Sequence, residues 1–357
     1  MQAILGVLFH FIGGFASGSF YIPYKKVKGW SWETYWLIGG LFSWLIIPPL
    51  AAWLTIPDFT RIIRDADAST LTITYFFGLL WGIGGLTYGL GVRYLGVSLG
   101  SSIILGLCMV FGALIPAIYY QYYPGQGKDT VGMLIGTAWG KTILVGLFIC
   151  ILGIIWCGKA GMQKEKQLSA SDSASQEFRF GIGLLVSIIS GILSACFNFG
   201  LEAGKPLAAE ANELWKNLHP GEGEFLFQNN VTYVVVLWGG LTTNLIWCIY
   251  LNYRNKTFGD YTSTVAPVAK NTLFCALAGT TWFLQFFFYG MGESKLGNGP
   301  SSWILHMAFI ILVANAWGLL LREWKGVTPS TKRNVVLGIC LIILSVLTVG
   351  YGNSLRN

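Results

Sequence analysis

The chain has 357 residues, 54% hydrophobic and 11% charged, with a mean hydropathy of +0.59; soluble domains carry about 25% charged residues, so composition excludes a soluble fold and gives an integral membrane protein. The net charge of +7 does not indicate a nucleic-acid partner, because Lys and Arg fall in short clusters at the ends of apolar runs, where membrane topology accounts for them. All seven Cys lie within apolar runs and none forms a CxxC pair, which argues against a disulfide framework and a metal site.

A bilayer core of about 30 Å takes roughly 20 apolar residues in a helix, the form that satisfies its own backbone hydrogen bonds in lipid. Ten segments qualify, near 3–24, 34–56, 71–92, 97–121, 139–158, 180–202, 227–251, 270–291, 301–321 and 333–352. The first has no basic stretch before it; Lys25, Lys26 and Lys28 follow it instead, so it reads as a retained span rather than a cleaved signal peptide. Pro48 and Pro49 in the second span and Pro116 in the fourth remove backbone donors and are expected to act as kinks and candidate hinges.

The odd-numbered loops hold most of the 23 Lys and Arg, which predicts that they are cytoplasmic and that both termini are external. The fifth loop, within 161–179, is polar and Ser-rich and reads as a cytoplasmic linker. The sixth, "EAGKPLAAEANELWKNLHPGEGEF", is acidic and partly helical in pattern. "GTAWGKT" (136–142) resembles a P-loop but has three residues between its glycines where the motif needs four, so no nucleotide or other cofactor is expected.

An internal repeat is the strongest signal. Trp81, Tyr88, Gly89, Gly91, Leu95 and Gly96 recur at one constant offset as Trp282, Tyr289, Gly290, Gly292, Leu296 and Gly297. "GGLFSWLI" at Gly39 recurs as "GGLTTNLI" at Gly239, and Gly14, Ser17 and Phe20 recur as Gly191, Ser194 and Phe197. Five spans per half is an odd number, so the halves enter the membrane in opposite senses. The expected fold is therefore all-α, with ten transmembrane helices as two inverted five-helix repeats, 1–160 and 180–357. Such inversion is characteristic of secondary transporters.

Four blocks, "FYIPYKKVKGWSWET" (20–34), "WGIGGLTYGLGVRYLG" (81–96), "WFLQFFFYG" (282–290) and "SWILHMAF" (302–309), closely resemble the L-rhamnose–proton symporter family of the drug/metabolite transporter superfamily. The resemblance implies proton-coupled uptake of a six-carbon deoxy sugar across the bacterial inner membrane, by a protein that is not an enzyme. It also matches His10, His306 and Lys205-Pro206 to family positions. On the residues alone, an exporter or facilitator of another small metabolite stays open on the same fold, as, more remotely, does a membrane sensor or scaffold.

Trp282, Gln285 and Tyr289 are spaced three and four apart and share one helical stripe. An amide beside aromatic rings can bind sugar hydroxyls and the apolar face of the ring together. These three, with Trp81, Tyr88 and Asn198, are the candidate sugar site; core packing for the rings and an interhelical bond for the amides are the alternatives. Proton coupling needs a titratable group inside the bundle. His306 and His10 are the candidates, followed by Glu33 and Glu202. Glu33 also suits a helix-start carboxylate beside Lys25, Lys26 and Lys28, and Glu202 an interfacial ion pair with Lys205 three residues on.

Overall fold

A computed structural model describes residues 2–95, 97–125, 128–169, 180–320 and 324–356; Gly96 of the repeat and residues 170–179 of the linker lie outside them. Every element among the described residues is helical. Ten helices are long and apolar enough to cross a membrane: α1 (Gln2–Tyr24), α2 (Trp32–Thr55), α3 (Ala68–Leu95), α4 (Ile103–Tyr122), α5 (Ala138–Lys164), α6 (Gly181–Ala203), α7 (Asn230–Asn255), α8 (Val268–Leu296), α9 (Gly299–Trp317) and α10 (Pro329–Ser354). They match the ten expected segments. Their outward rims are apolar, with Ile4, Trp53, Leu54, Phe148, Ile246 and Leu347 well exposed, as lipid-facing surface requires.

The interruption expected at Pro48 and Pro49 takes the form of a π-helical turn, Leu41–Ile46, just before them. Neither proline has an N–H to give back to the preceding turn, and the Ile47 N–H bonds the Phe42 carbonyl five residues behind it. Such turns are sites where a helix can repack. Pro116 lies inside its helix. In the sixth loop an amphipathic helix, Lys205–Leu218, opens with Pro206 and buries Leu207, Ala208 and Ala211.

Helix α8 runs one turn past its expected end, to Leu296. Gly297, at φ +60, then stops it in the left-handed conformation and returns its N–H to the Glu293 carbonyl. Asn298 caps the next helix by accepting the Ser301 N–H at 2.8 Å. This tight corner keeps Glu293 on a rigid helix at the mouth of the bundle.

The helices cross at small residues, and the crossings come in pairs. Gly6 of α1 abuts Leu296 of α8, and Gly183 of α6 abuts Leu95 of α3. Gly13 faces the Gln285 carbonyl, while Ser190 donates to the Gly84 carbonyl at 2.9 Å. The His10 ring fills the gap at Gly292, as the Ser187 hydroxyl fills that at Gly91. Gly39 of α2 meets Gly279 of α8, and Gly239 of α7 meets Gly78 of α3. In every pair the residues correspond at the offsets of the sequence repeat, with the partners exchanged between halves. Close backbone approach at these points is how helices gain packing where lipid removes the hydrophobic drive.

Candidate functional site

Where α4, α6 and α8 end on one face of the bundle, a cavity of about 400 Å³ opens, lined among others by Pro116, Tyr120, Lys128, Glu202, Lys205, Asn229, Glu293 and Asn298. Its walls carry two ion pairs. Lys205 donates to Glu293 at 2.6 Å and Lys128 to Glu202 at 2.7 Å. Asn229 Nδ2 holds the other Glu293 oxygen at 2.9 Å, and the Tyr120 hydroxyl donates to Glu202 at 2.9 Å. Partial burial alone would lower the pKa of the Lys205 ammonium, but Glu293 and Glu202 together outweigh it and hold it above the ordinary lysine value. At the rim Arg356 pairs with Asp129 at 3.0 Å; burial raises the Asp129 pKa although Arg356 pulls it the other way.

One turn deeper on α8, Tyr289 is buried and its hydroxyl has no hydrogen-bond partner among the described residues; the same holds for Tyr233 on α7. Tyr289 stands edge-on between two imidazoles, 5.3 Å from His10 of α1 and 5.1 Å from His306 of α9, whose own centroids are 6.0 Å apart. All four imidazole nitrogens are buried without a partner among the described residues. An unsatisfied buried polar group costs about 1–3 kcal/mol, so such a cluster is not there for stability. Gly292 and Gly13 make it possible, because a Cβ on either would crowd the His10 or His306 ring.

Below the imidazoles lies an aromatic layer. Trp81 and Trp282 face each other at 5.7 Å, Trp44 stands within 6.3 Å of both, and Phe197 stacks on Phe286 at 4.1 Å. Gln285 is buried beside this layer with its amide donating to the Trp282 carbonyl of its own helix at 2.9 Å. Asn198 donates to the Gly112 carbonyl of α4 at 2.7 Å. The far end carries a polar seam: Asp260 accepts from the Ser31 N–H and hydroxyl and from Thr34, at 2.7 to 2.9 Å, and Asn271 exchanges two bonds with the Lys28 backbone. Burial tends to raise the Asp260 pKa, but the Ser31 and Thr34 bonds outweigh it and hold the carboxyl below its ordinary value.

The chain matches the family described as L-rhamnose-proton symport protein (RhaT) over residues 1–355. It is 37% identical over 354 residues, 98% of each chain, to the L-rhamnose-proton symporters of Pectobacterium carotovorum subsp. carotovorum (strain PC1) and Yersinia pestis (strain Pestoides F). The chain belongs to the L-rhamnose-proton symporter family. That family is one of transporters, not enzymes.

Against the candidates read from the sequence, the structure brings His10, His306 and Tyr289 into one cluster and Trp81, Trp282 and Gln285 into the layer beneath. Tyr88 does not join them. It lies between Gly84, which packs on Ser194 near the middle of α6, and Gly91, which packs on Ser187 toward its start, whereas Tyr289 is at the level of the Glu202 end of that helix. Antiparallel α3 and α8 meet at their tryptophans, so two turns further along each chain lead to opposite ends.

Two ion-pair expectations are corrected. Glu202 is bonded by Lys128 and Tyr120, and the bonded partner of Lys205 is Glu293. Glu33 accepts from Asn255 and Thr257, both at 2.9 Å, in place of the lysine partners its neighbours suggested. Glu293, Asn229 and Tyr233 were missed. A signal for Glu293 existed, since the stripe through Trp282, Gln285 and Tyr289 reaches it at the next helical step, beyond the segment's expected end at 291.

Proposed function

We propose that this chain imports L-rhamnose together with a proton across the bacterial inner membrane, by alternating access between inverted halves, residues 1–160 and 180–357, joined by a cytoplasmic linker. Membership in the family over essentially the whole chain carries the substrate and the coupling. The exchanged pairs of helix crossings support the inverted halves, and the excess of Lys and Arg in the odd loops supports external termini. In that orientation the 400 Å³ cavity opens outward and the seam at Asp260 closes the cytoplasmic side.

L-rhamnose enters through the cavity and binds between Tyr289 and the aromatic layer, with Trp282, Gln285, Trp81 and Asn198 as its contacts. The pair His10 and His306, adjoining that place, carries the coupling proton. Glu33 and Glu202 have hydrogen-bonding partners that hold them in the seam and the cavity wall, a gating role. The π turn before Pro48 and Pro49, and Pro116, are where α2 and α4 flex. When the cavity opens to the cytoplasm, Tyr88 takes the place relative to the tryptophans that Tyr289 has here.

A membrane potential of about 100 mV supplies roughly 2.3 kcal/mol per charge, more than tenfold accumulation, so no other energy source is needed. The test is uptake of labelled L-rhamnose, L-fucose and D-glucose into proteoliposomes with and without an imposed pH gradient. Accumulation of L-rhamnose that vanishes with the gradient supports the reading; equal uptake in both arms, or none, overturns it. Gln285→Ala is expected to raise KM about tenfold, the loss of a buried polar contact worth near 1.4 kcal/mol, and an unchanged KM removes Gln285 from the site.

A further inference from the structure

We propose that Glu293 is the group that takes the coupling proton from the cavity and passes it through the Tyr289 hydroxyl to the buried imidazole pair. The inference rests on the reading of His10 and His306 as the coupling site and adds their route to solvent. Glu293 lines the cavity yet its side chain is only 9% exposed. Tyr289 lies four residues back on the same helix face, the spacing that makes side chains neighbours, and its hydroxyl is without a partner. The ring of the same phenol stands edge-on to both imidazoles, 5.3 Å from His10 and 5.1 Å from His306. Cavity, carboxylate, phenol and imidazole thus form one line into the bundle.

The groups around Glu293 explain how an ion-paired carboxylate can accept a proton. Lys205 reaches it from the helix after α6, Tyr233 faces it from α7, Glu202 stands across the cavity, Tyr289 is a turn below and His10 packs at neighbouring Gly292. Lys205 is attracted by both carboxylates. As Glu293 is protonated, Lys205 turns to Glu202, which it then shares with Lys128, and the neutral carboxyl is free to swing inward. Before the step two lysines balance two carboxylates. Glu224 also lines the cavity and attracts Lys205; the step adds one positive charge to the wall, the charge of the transported proton.

The relay conserves atoms and charge. The Glu293 O–H proton moves to the Tyr289 oxygen while the phenol proton moves to an imidazole nitrogen; Glu293 is again a carboxylate, Tyr289 is unchanged and the imidazole has become an imidazolium. Lys205 then returns to Glu293. The phenol is never left ionised.

Glu293→Gln keeps shape and one acceptor but cannot carry the proton. In proteoliposomes under a gradient of about one pH unit, the wild type is expected to concentrate labelled L-rhamnose about tenfold over the no-gradient control. Glu293→Gln is expected to equilibrate the sugar without concentrating it, a ratio near one, and Tyr289→Phe to lose the concentrating step likewise. Glu293→Asp, checked for a monodisperse elution peak, retains part of it. Concentration by Glu293→Gln at the wild-type ratio overturns the proposal. So does a folded Glu293→Gln that moves no sugar even downhill, since the carboxylate is then a sugar contact. The double variant His10→Gln/His306→Gln reads the underlying assignment separately. If it concentrates sugar while Glu293→Gln does not, the imidazole reading fails and Glu293 remains the acceptor facing the cavity.

Discussion

The crossing of α1 with α8 and the crossing of α6 with α3 are built from corresponding residues but carry different chemistry. Gly6 on Leu296 matches Gly183 on Leu95, and the contact at Gly292 matches that at Gly91. Yet the first crossing holds His10, Gln285, Tyr289 and Glu293, where the second has Ser187 for the imidazole and Gly84 for the amide. His306 adds to the first from α9, where the matching contact on α6 comes from the apolar helix α4. The crossing geometry recurs, but the imidazole and the carboxylate belong to the first, where the second has Ser187 and Val92; Tyr88 stands in the second where the first has Tyr289. Under the proposed function, the recurring crossings serve alternating access and the imidazole and carboxylate of the first serve coupling.

The comparison can be broken most strongly at Lys205. Lys205→Met leaves Glu293 deep in the wall with Asn229 alone, and is expected to destabilise the cavity side by about 2–4 kcal/mol, read as a fall in the midpoint of thermal unfolding in detergent; a shift of under a degree would show the pair to be solvated. Next come the glycines. Gly292→Val and Gly91→Val both overpack a crossing, at about 1–3 kcal/mol each, but only the former displaces an imidazole. Similar stability loss with pH-driven uptake abolished in Gly292→Val alone sharpens the contrast; equal loss of uptake in both erases it.

At the Asp260 seam, Asp260→Asn removes acceptor capacity from three donors and is expected to cost about 1–2 kcal/mol and to raise the labelling of cysteines placed in the seam. Because the Asp260 carboxyl is held below its ordinary value, its contribution is complete above the ordinary carboxylate range and is lost as pH falls through the lowered value. Seam labelling in the wild type should therefore rise on acidification and in Asp260→Asn stay flat. The smallest effect is expected for Ser187→Ala, which deletes a buried hydroxyl without a described partner: under about 0.5 kcal/mol and no change in coupling, the opposite of His10→Gln.

Much of this was legible along the chain because lipid imposes length and polarity on every segment. The ten spans, the repeat and its stripe Trp282, Gln285, Tyr289 follow from spacing within one helix. What escaped were pairings between helices. Lys205 looked toward Glu202, three residues away, but the chain between them turns from α6 into the next helix and points the ammonium at Glu293, 88 residues distant. Glu33 looked toward its neighbouring lysines and bonds instead to Asn255, 222 residues away. Tyr88 and Tyr289 read as equivalent in the repeat, yet α3 and α8 run antiparallel from their facing tryptophans and carry the two toward opposite ends.

The sequence by itself determined ten apolar helices of membrane-spanning length, because backbone hydrogen bonding in a bilayer leaves no other arrangement for such segments. Only the tertiary structure decided which polar side chains share a site. That depends on the level at which antiparallel helices cross, set here by glycines on two different chain segments at once, a relation that no periodicity within either segment encodes.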